Sequence, residues 1–199
     1  MTTDTDMTIL EQSRLRCGFS EAMKGRLITC LSEYWRHYHT VEHVADLLTK
    51  FDPVRHLAEC PLAVEKAIWC HDIVYIPGRD DNEDRSVEAA RWALVGDPDL
   101  DRVLEMLHAT RWHSGETPDE ILLCDLDLSI LGDPPDKYER FEDGIRRESS
   151  LLPPHVFRKG RSDFLRNFIE RPRIYRTSFG IPLEAPAREN IERTLRELG

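Results

Sequence analysis

The sequence predicts an all-α fold, a compact and irregular bundle of about eight or nine helices. Three observations predict it. Apolar residues recur at helical spacing along nearly the whole chain. The periodic segments open on Ser, Thr or Pro and tend to close on Gly or Pro-Gly, as helix boundaries do. Only "DIVYI", which is β-branched, and "LLCDLDLSIL", which partly alternates, invite a strand assignment, and neither has a partner run or hairpin signal nearby.

Taken in order, the opening "MTTDTDMTILEQ" is polar and acidic, without the basic-then-apolar layout of a signal peptide. Residues 1–16 are therefore expected as a flexible segment, and residues 17–199 as a single domain. "SEAMKGRLITCLSEYW" follows a Ser20 cap, and "TVEHVADLLTKF" starts at Thr40 with Val41, Val44, Leu47 and Leu48 on one stripe. "PLAVEKAIWCHDIVY" has Pro61 at its start and Pro77-Gly78 after its end. "NEDRSVEAARWALVG" closes at Gly96. "DLDRVLEMLHATRWH" and "PDEILLCDLDLSILG" flank "SGETP". "PDKYERFEDGIRRESSLL", "PPHVFRKGRSDFLRNFIE" and "PLEAPARENIERTLREL" complete the series.

A chain of 199 residues, 40% hydrophobic and 32% charged, can bury a core without disulfides. No apolar run is long enough to span a bilayer, so a cytoplasmic protein with no membrane partner is expected. The five cysteines are odd in number and include no CxxC pair, which argues against a disulfide framework and a thiolate zinc site. Cys70 adjoins His71, but chain neighbours on a helix point roughly 100° apart, so a Cys-His nucleophile is poorly served. The net charge of −10 disfavours general binding to a nucleic-acid backbone. Between Arg140 and Gly180, however, ten Lys/Arg stand against five Asp/Glu. A basic part meeting an acidic part at a cleft would suit a metal and a small anionic, phosphate-containing substrate, although two ordinary solvated faces give the same pattern. The sequence leaves homo-oligomer formation open.

Seven residues have metal-ligating side chains in suggestive places: His39, His43, His71, Asp72, His113, Asp125 and Asp127. His43, the adjacent pair His71-Asp72, and Asp127 form a coherent set, each on or near the end of a different expected helix. A helical bundle can converge such side chains on one interior point. In "DLDLSILG" two acids interrupt apolar residues, and a buried carboxylate there needs a cation or strong donors. Mixed imidazole and carboxylate donors suit one divalent transition ion, Mn²⁺, Fe²⁺, Co²⁺, Ni²⁺ or Zn²⁺, with Mg²⁺ less natural beside two histidines.

The order His, then His-Asp 28 residues on, then Asp 55 residues later resembles the HD superfamily of metal-dependent phosphohydrolases. The blocks "YWRHYHTVEHV", "WCHDIVYIPGRDDNEDRSVEAA", "CDLDLSILG", "RKGRSDFL" and "EAPAREN" are similar to those of a bacterial HD family of about this length, whose members are known only as predicted phosphohydrolases. The resemblance spans roughly residues 34 to 191. It implies the helical HD fold and carries metal-ligand roles onto His43, His71, Asp72 and Asp127. The chain departs from that family after "RRE", where "SS" stands in place of a tyrosine.

On this reading the expected reaction is hydrolysis of a phosphate ester or anhydride in a small nucleotide-like molecule. Asp72 and Glu83 are the candidate catalytic acids. Glu83 follows the His-Asp pair by eleven residues, in a first helical turn that equally suits an acid stabilised by the helix dipole. Arg36, Arg146 and Arg161 are candidate phosphate donors, each also able to serve as an ordinary ion pair. His39 and His113 are expected to face substrate or to support the ligands. If His108, His113 or His39 joined the site, a second metal would become feasible. A di-iron oxygenase on the same fold and a non-catalytic nucleotide sensor are the competing expectations.

Overall fold

The computed structural model describes residues 3–199. Among them lie ten α-helices and no strand: α1 (Asp4–Cys17), α2 (Glu21–Leu31), α3 (Val41–Phe51), α4 (Pro61–Cys70), α5 (Asn82–Ala93), α6 (Leu100–Thr110), α7 (Pro118–Asp127), α8 (Pro135–Glu148), α9 (Pro154–Ile169) and α10 (Glu184–Leu198). Short 3-10 turns at Asp52–Leu57, Leu128–Gly132 and Ile181–Leu183 link some of them. The all-α expectation holds, with one helix more than the eight or nine anticipated.

The additional helix is α1, which corrects the flexible segment expected over residues 1–16. Met1 and Thr2 of that segment lie outside the described residues. Thr3 and Asp6 form a reciprocal capping box that satisfies the first free backbone donors. Leu10 and Cys17 are buried against the core, and α1 packs on α3 and α4. The Ser13 hydroxyl accepts from the indole nitrogen of buried Trp69 at 2.8 Å. Arg16 reaches buried Glu65 at 2.6 Å.

Helix α4 is the axis of the first half of the molecule, buried without a break from Ala63 to Cys70. Its two charged residues are matched, as burial requires. Arg16 and Arg55 hold Glu65, and Asp97 and Asp99 hold Lys66. The "DIVYI" stretch that follows is a turn. Its backbone donors find side chains of α5 in place of a neighbouring strand: Val74 N–H donates to Ser86 Oγ and Ile76 N–H to Asn82 Oδ1.

Two apolar clusters make up the core. One is drawn from α1 to α7, the other from the Leu128–Gly132 turn, α8, α9, α10 and the loop through Ile174 and Tyr175. Gly144 lets α8 lie close to the chain before α3, since a Cβ there would sit 3.1 Å from the Tyr38 Cβ and 3.2 Å from the His37 carbonyl oxygen. This approach sets the C-terminal end of α8 against the His37–His39 turn. No helix among the described residues is long and apolar enough to cross a membrane.

Candidate metal centre

The ends of α3, α4, α6 and α7 meet where the two clusters join. His43 stands in the first turn of α3, His71 caps the C-terminus of α4, and Asp127 is the last residue of α7. Their Nε2, Nε2 and Oδ1 atoms converge. The two histidine nitrogens are 3.2 Å apart, and Asp127 Oδ1 is 3.2 Å from His43 and 3.6 Å from His71. These three residues form a group able to hold a metal ion. Asp72 adds Oδ2 at 3.0 Å from His71 Nε2 and 3.8 Å from His43 Nε2.

The donor chemistry fits a cation. His71 Nδ1 donates to the Ile68 carbonyl at 3.0 Å, which leaves its Nε2 lone pair directed at the cluster, the tautomer a metal requires. Burial opposes the charged forms of His71, Asp72 and Asp127. In His71 the Asp72 and Asp127 carboxylates outweigh it and hold the ring well above the usual histidine range. In Asp127 burial pushes up, and hydrogen bonds from His113, His43 and His71 pull the carboxyl well below its usual range. In Asp72 burial is likewise overcome, by His71 and His39. Two half-buried carboxylates beside two buried imidazoles thus call for positive charge, which protons or a divalent ion can supply.

His71, Asp72 and Asp127 form part of the wall of a cavity of about 180 Å³. His39, Glu83, Thr110 and His113 line it from the first half of the molecule. Leu128, Ile130, Leu131, Phe141, Ile145, Arg161 and Phe164 line it from the second. Burial raises the Glu83 carboxyl, and the nearby Asp72 charge adds to it. His113 Nε2 donates to Asp127 Oδ2 at 2.9 Å. His39 is held by a 2.7 Å contact from Nδ1 to Glu148 and by stacking on Tyr75 at 4.1 Å, which leaves Nε2 for the cavity.

The arginines separate. Arg161 lines the cavity, but its Nε and Nη2 both donate to Glu142 at 3.0 and 2.7 Å. Arg36 and Arg146, expected as phosphate donors, line no part of it. Arg36 is buried and donates to the carbonyls of His39, Asp72 and Ile73, so it braces the turn that carries the His-Asp pair. Arg146 is exposed, with its guanidinium over Phe157. Asp125 faces away from the cluster and accepts from the backbone of Arg176 and Thr177 and from the Thr177 hydroxyl. His108 is exposed near Asp84.

Two contributors were not singled out in the sequence. Glu148 accepts the backbone N–H of His37, Tyr38 and His39 together with the His39 ring. Arg171 donates to the carbonyls of His113 and Trp112 at 2.9 and 3.0 Å. The signal for Glu148 was present in "RRE", an acid at the end of an amphipathic helix where a base is the usual choice. No local signal marks Arg171.

No family model, curated protein or solved structure matches this chain. Its chemistry follows from the donors themselves.

Proposed function

We propose that the protein is a metal-dependent phosphohydrolase that cleaves a phosphate ester or anhydride of a small molecule. The observation that carries this reading is the convergence of His43, His71 and Asp127, with Asp72 beside them, next to a cavity that His71, Asp72 and Asp127 line together with Glu83, His39 and Arg161. The motif order shared with HD phosphohydrolases supports it. A divalent ion held by these donors supplies an acidified water and neutralises phosphoryl charge.

The chain's own residues have separable tasks. His43, His71, Asp72 and Asp127 hold the ion. Glu83, kept basic by burial, accepts the proton of the attacking water. That water's oxygen forms the new bond to phosphorus, the bond from phosphorus to the leaving oxygen breaks, and the leaving oxygen takes up a proton. His39 Nε2 is positioned to contact substrate because Glu148 occupies Nδ1. The apolar wall from α8 and α9 limits water in the cavity.

The test is metal content by elemental mass spectrometry on the purified protein, beside His71→Ala and Asp72→Ala, followed by a screen for phosphate release. About one equivalent of a transition metal, lost in both variants, with phosphate release from a member of the screen, is the expected result. Two equivalents of iron with oxygen uptake would move the assignment to oxygen chemistry. No metal under any loading condition would overturn the reading.

A further inference from the structure

We propose that the substrate is a monoester carrying a single phosphate on a compact, largely apolar alcohol or phenol. This rests on the phosphohydrolase reading above and narrows it. Three independent features of the cavity point the same way.

The first is the supply of positive charge. Among the described residues Arg161 is the one Lys or Arg in the lining, and its guanidinium is partly committed. Glu142 takes two of its donors, and the rings of Phe141 and Phe164 each lie 4.9 Å from it. Glu83 stands in the first turn of α5, so that helix end brings an acid to the cavity. One phosphate can be matched by a divalent ion and the histidines. Each further phosphate would bring about one more negative charge into a site whose one lining guanidinium among the described residues already shares two donors with Glu142. Sites that take di- and triphosphates supply several lysines, arginines or backbone N–H groups for that purpose.

The second is the supply of hydrogen bonds. A ribose and a base need donors and acceptors, and the lining offers few that are uncommitted. Among the described residues it contains no Asn, Gln or Ser, the Thr110 hydroxyl donates to the Leu107 carbonyl within its own helix, and the Tyr38 hydroxyl is the neutral side-chain group left for a ligand. A buried polar group left without a partner costs affinity, so a polar nucleoside is disfavoured here.

The third is size and surface. A cavity of about 180 Å³ is close to the roughly 150 Å³ that holds a benzene ring, and below the roughly 300 Å³ at which pockets for drug-sized ligands begin. Leu131, Phe141, Ile145 and Phe164 give it an apolar wall suited to a small hydrocarbon group.

The experiment compares kcat/KM for phenyl phosphate, butyl phosphate, AMP, ATP and inorganic pyrophosphate on the Mn²⁺-loaded full chain. Calorimetric titration of the same protein with phenylphosphonate, AMP and tripolyphosphate reads binding without turnover. Phenyl or butyl phosphate is expected to exceed AMP, ATP and pyrophosphate by roughly tenfold or more, with phenylphosphonate the tightest of the three titrants. Phe164→Ala, at a position 37% exposed in the fold, is expected to raise KM for phenyl phosphate several-fold and to narrow its advantage over methyl phosphate. Preference for AMP, ATP, pyrophosphate or tripolyphosphate would overturn the proposal, as would failure of all three titrants to bind. Selective binding of phenylphosphonate with no phosphate release from any ester would uphold the ligand class and sink the hydrolase reading.

Discussion

Asp127 divides its carboxylate between two histidines. Oδ1 lies 3.2 Å from His43 Nε2 inside the cluster, and Oδ2 accepts from His113 Nε2 at 2.9 Å outside it. A candidate ligand is thereby oriented by a residue that is not one. His113 reaches this position just beyond the end of α6 with φ of +46°, the one positive φ outside glycine among the described residues. For a residue with a Cβ that conformation costs on the order of 1 kcal/mol, and the contacts around it hold it in place.

The hydrogen bond from His113 should therefore govern how tightly the site binds metal. His113→Gln is expected to lower Mn²⁺ or Co²⁺ affinity roughly 10- to 100-fold, the usual effect of removing a partner of a metal ligand. Calorimetric titration against the parent protein measures it. An unchanged affinity would mean that Asp127 is oriented without His113.

Arg171 extends the same chain of contacts. It grips the carbonyls of Trp112 and His113 and lies over the Phe168 ring, which meets the His113 ring edge-on at 5.4 Å. Arg171→Met is expected to weaken metal binding roughly tenfold. The double variant with His113→Gln should be no weaker than His113→Gln alone, because Arg171 acts through that histidine. Additive losses in the cycle would show that Arg171 acts by another route.

The helical fold and the candidate group of His43, His71 and Asp127 were legible in the sequence for different reasons. Helices α3 and α6 show clear apolar stripes, so their periodicity was legible. His43, His71 and Asp127 stood out because imidazoles and carboxylates within apolar runs need a reason to be buried. The stripe of α1 is too weak for the same signal. Its stability comes from a capping box and from tertiary partners such as Trp69 and Glu65 that no local window contains. The arginines misled for a related reason. A guanidinium that binds phosphate and one that binds carbonyls look alike in sequence, and only the fold shows Arg36 spent on the backbone of His39, Asp72 and Ile73. Apart from the motif resemblance nothing local separated Asp127 from Asp125, and the loop at Arg176 and Thr177 claims Asp125.

Glu148 should set part of the acid stability. Burial pushes its carboxyl up, but the His39 ring and three backbone N–H groups bring it down to about 2 from an ordinary value near 4.5. A folded pKa below the unfolded one gives stability that is complete above about 4.5 and lost as pH falls towards about 2. The shift corresponds to about 3 kcal/mol. Urea unfolding between pH 7 and pH 2.5 should show Glu148→Gln less stable than the parent at neutral pH by an amount of that order. The gap should close across the acid window. A constant difference at every pH would place the stabilisation elsewhere.

Helix α1 should behave as core. Leu10 is 1% exposed, and Leu10→Ala is expected to cost about 2–4 kcal/mol. Ser13→Ala removes the acceptor for the buried Trp69 indole and should cost about 1–3 kcal/mol. For a chain of this size either loss lowers Tm by several degrees, at roughly 2–4 °C per kcal/mol. The two residues stand three apart on one helix, so the double variant is expected to depart from the sum of the single effects. Thermal unfolding followed by circular dichroism reads all three variants. If both single variants melted with the parent, α1 would be a dispensable appendage to the bundle, and its contacts with Trp69 and Glu65 would have no bearing on stability.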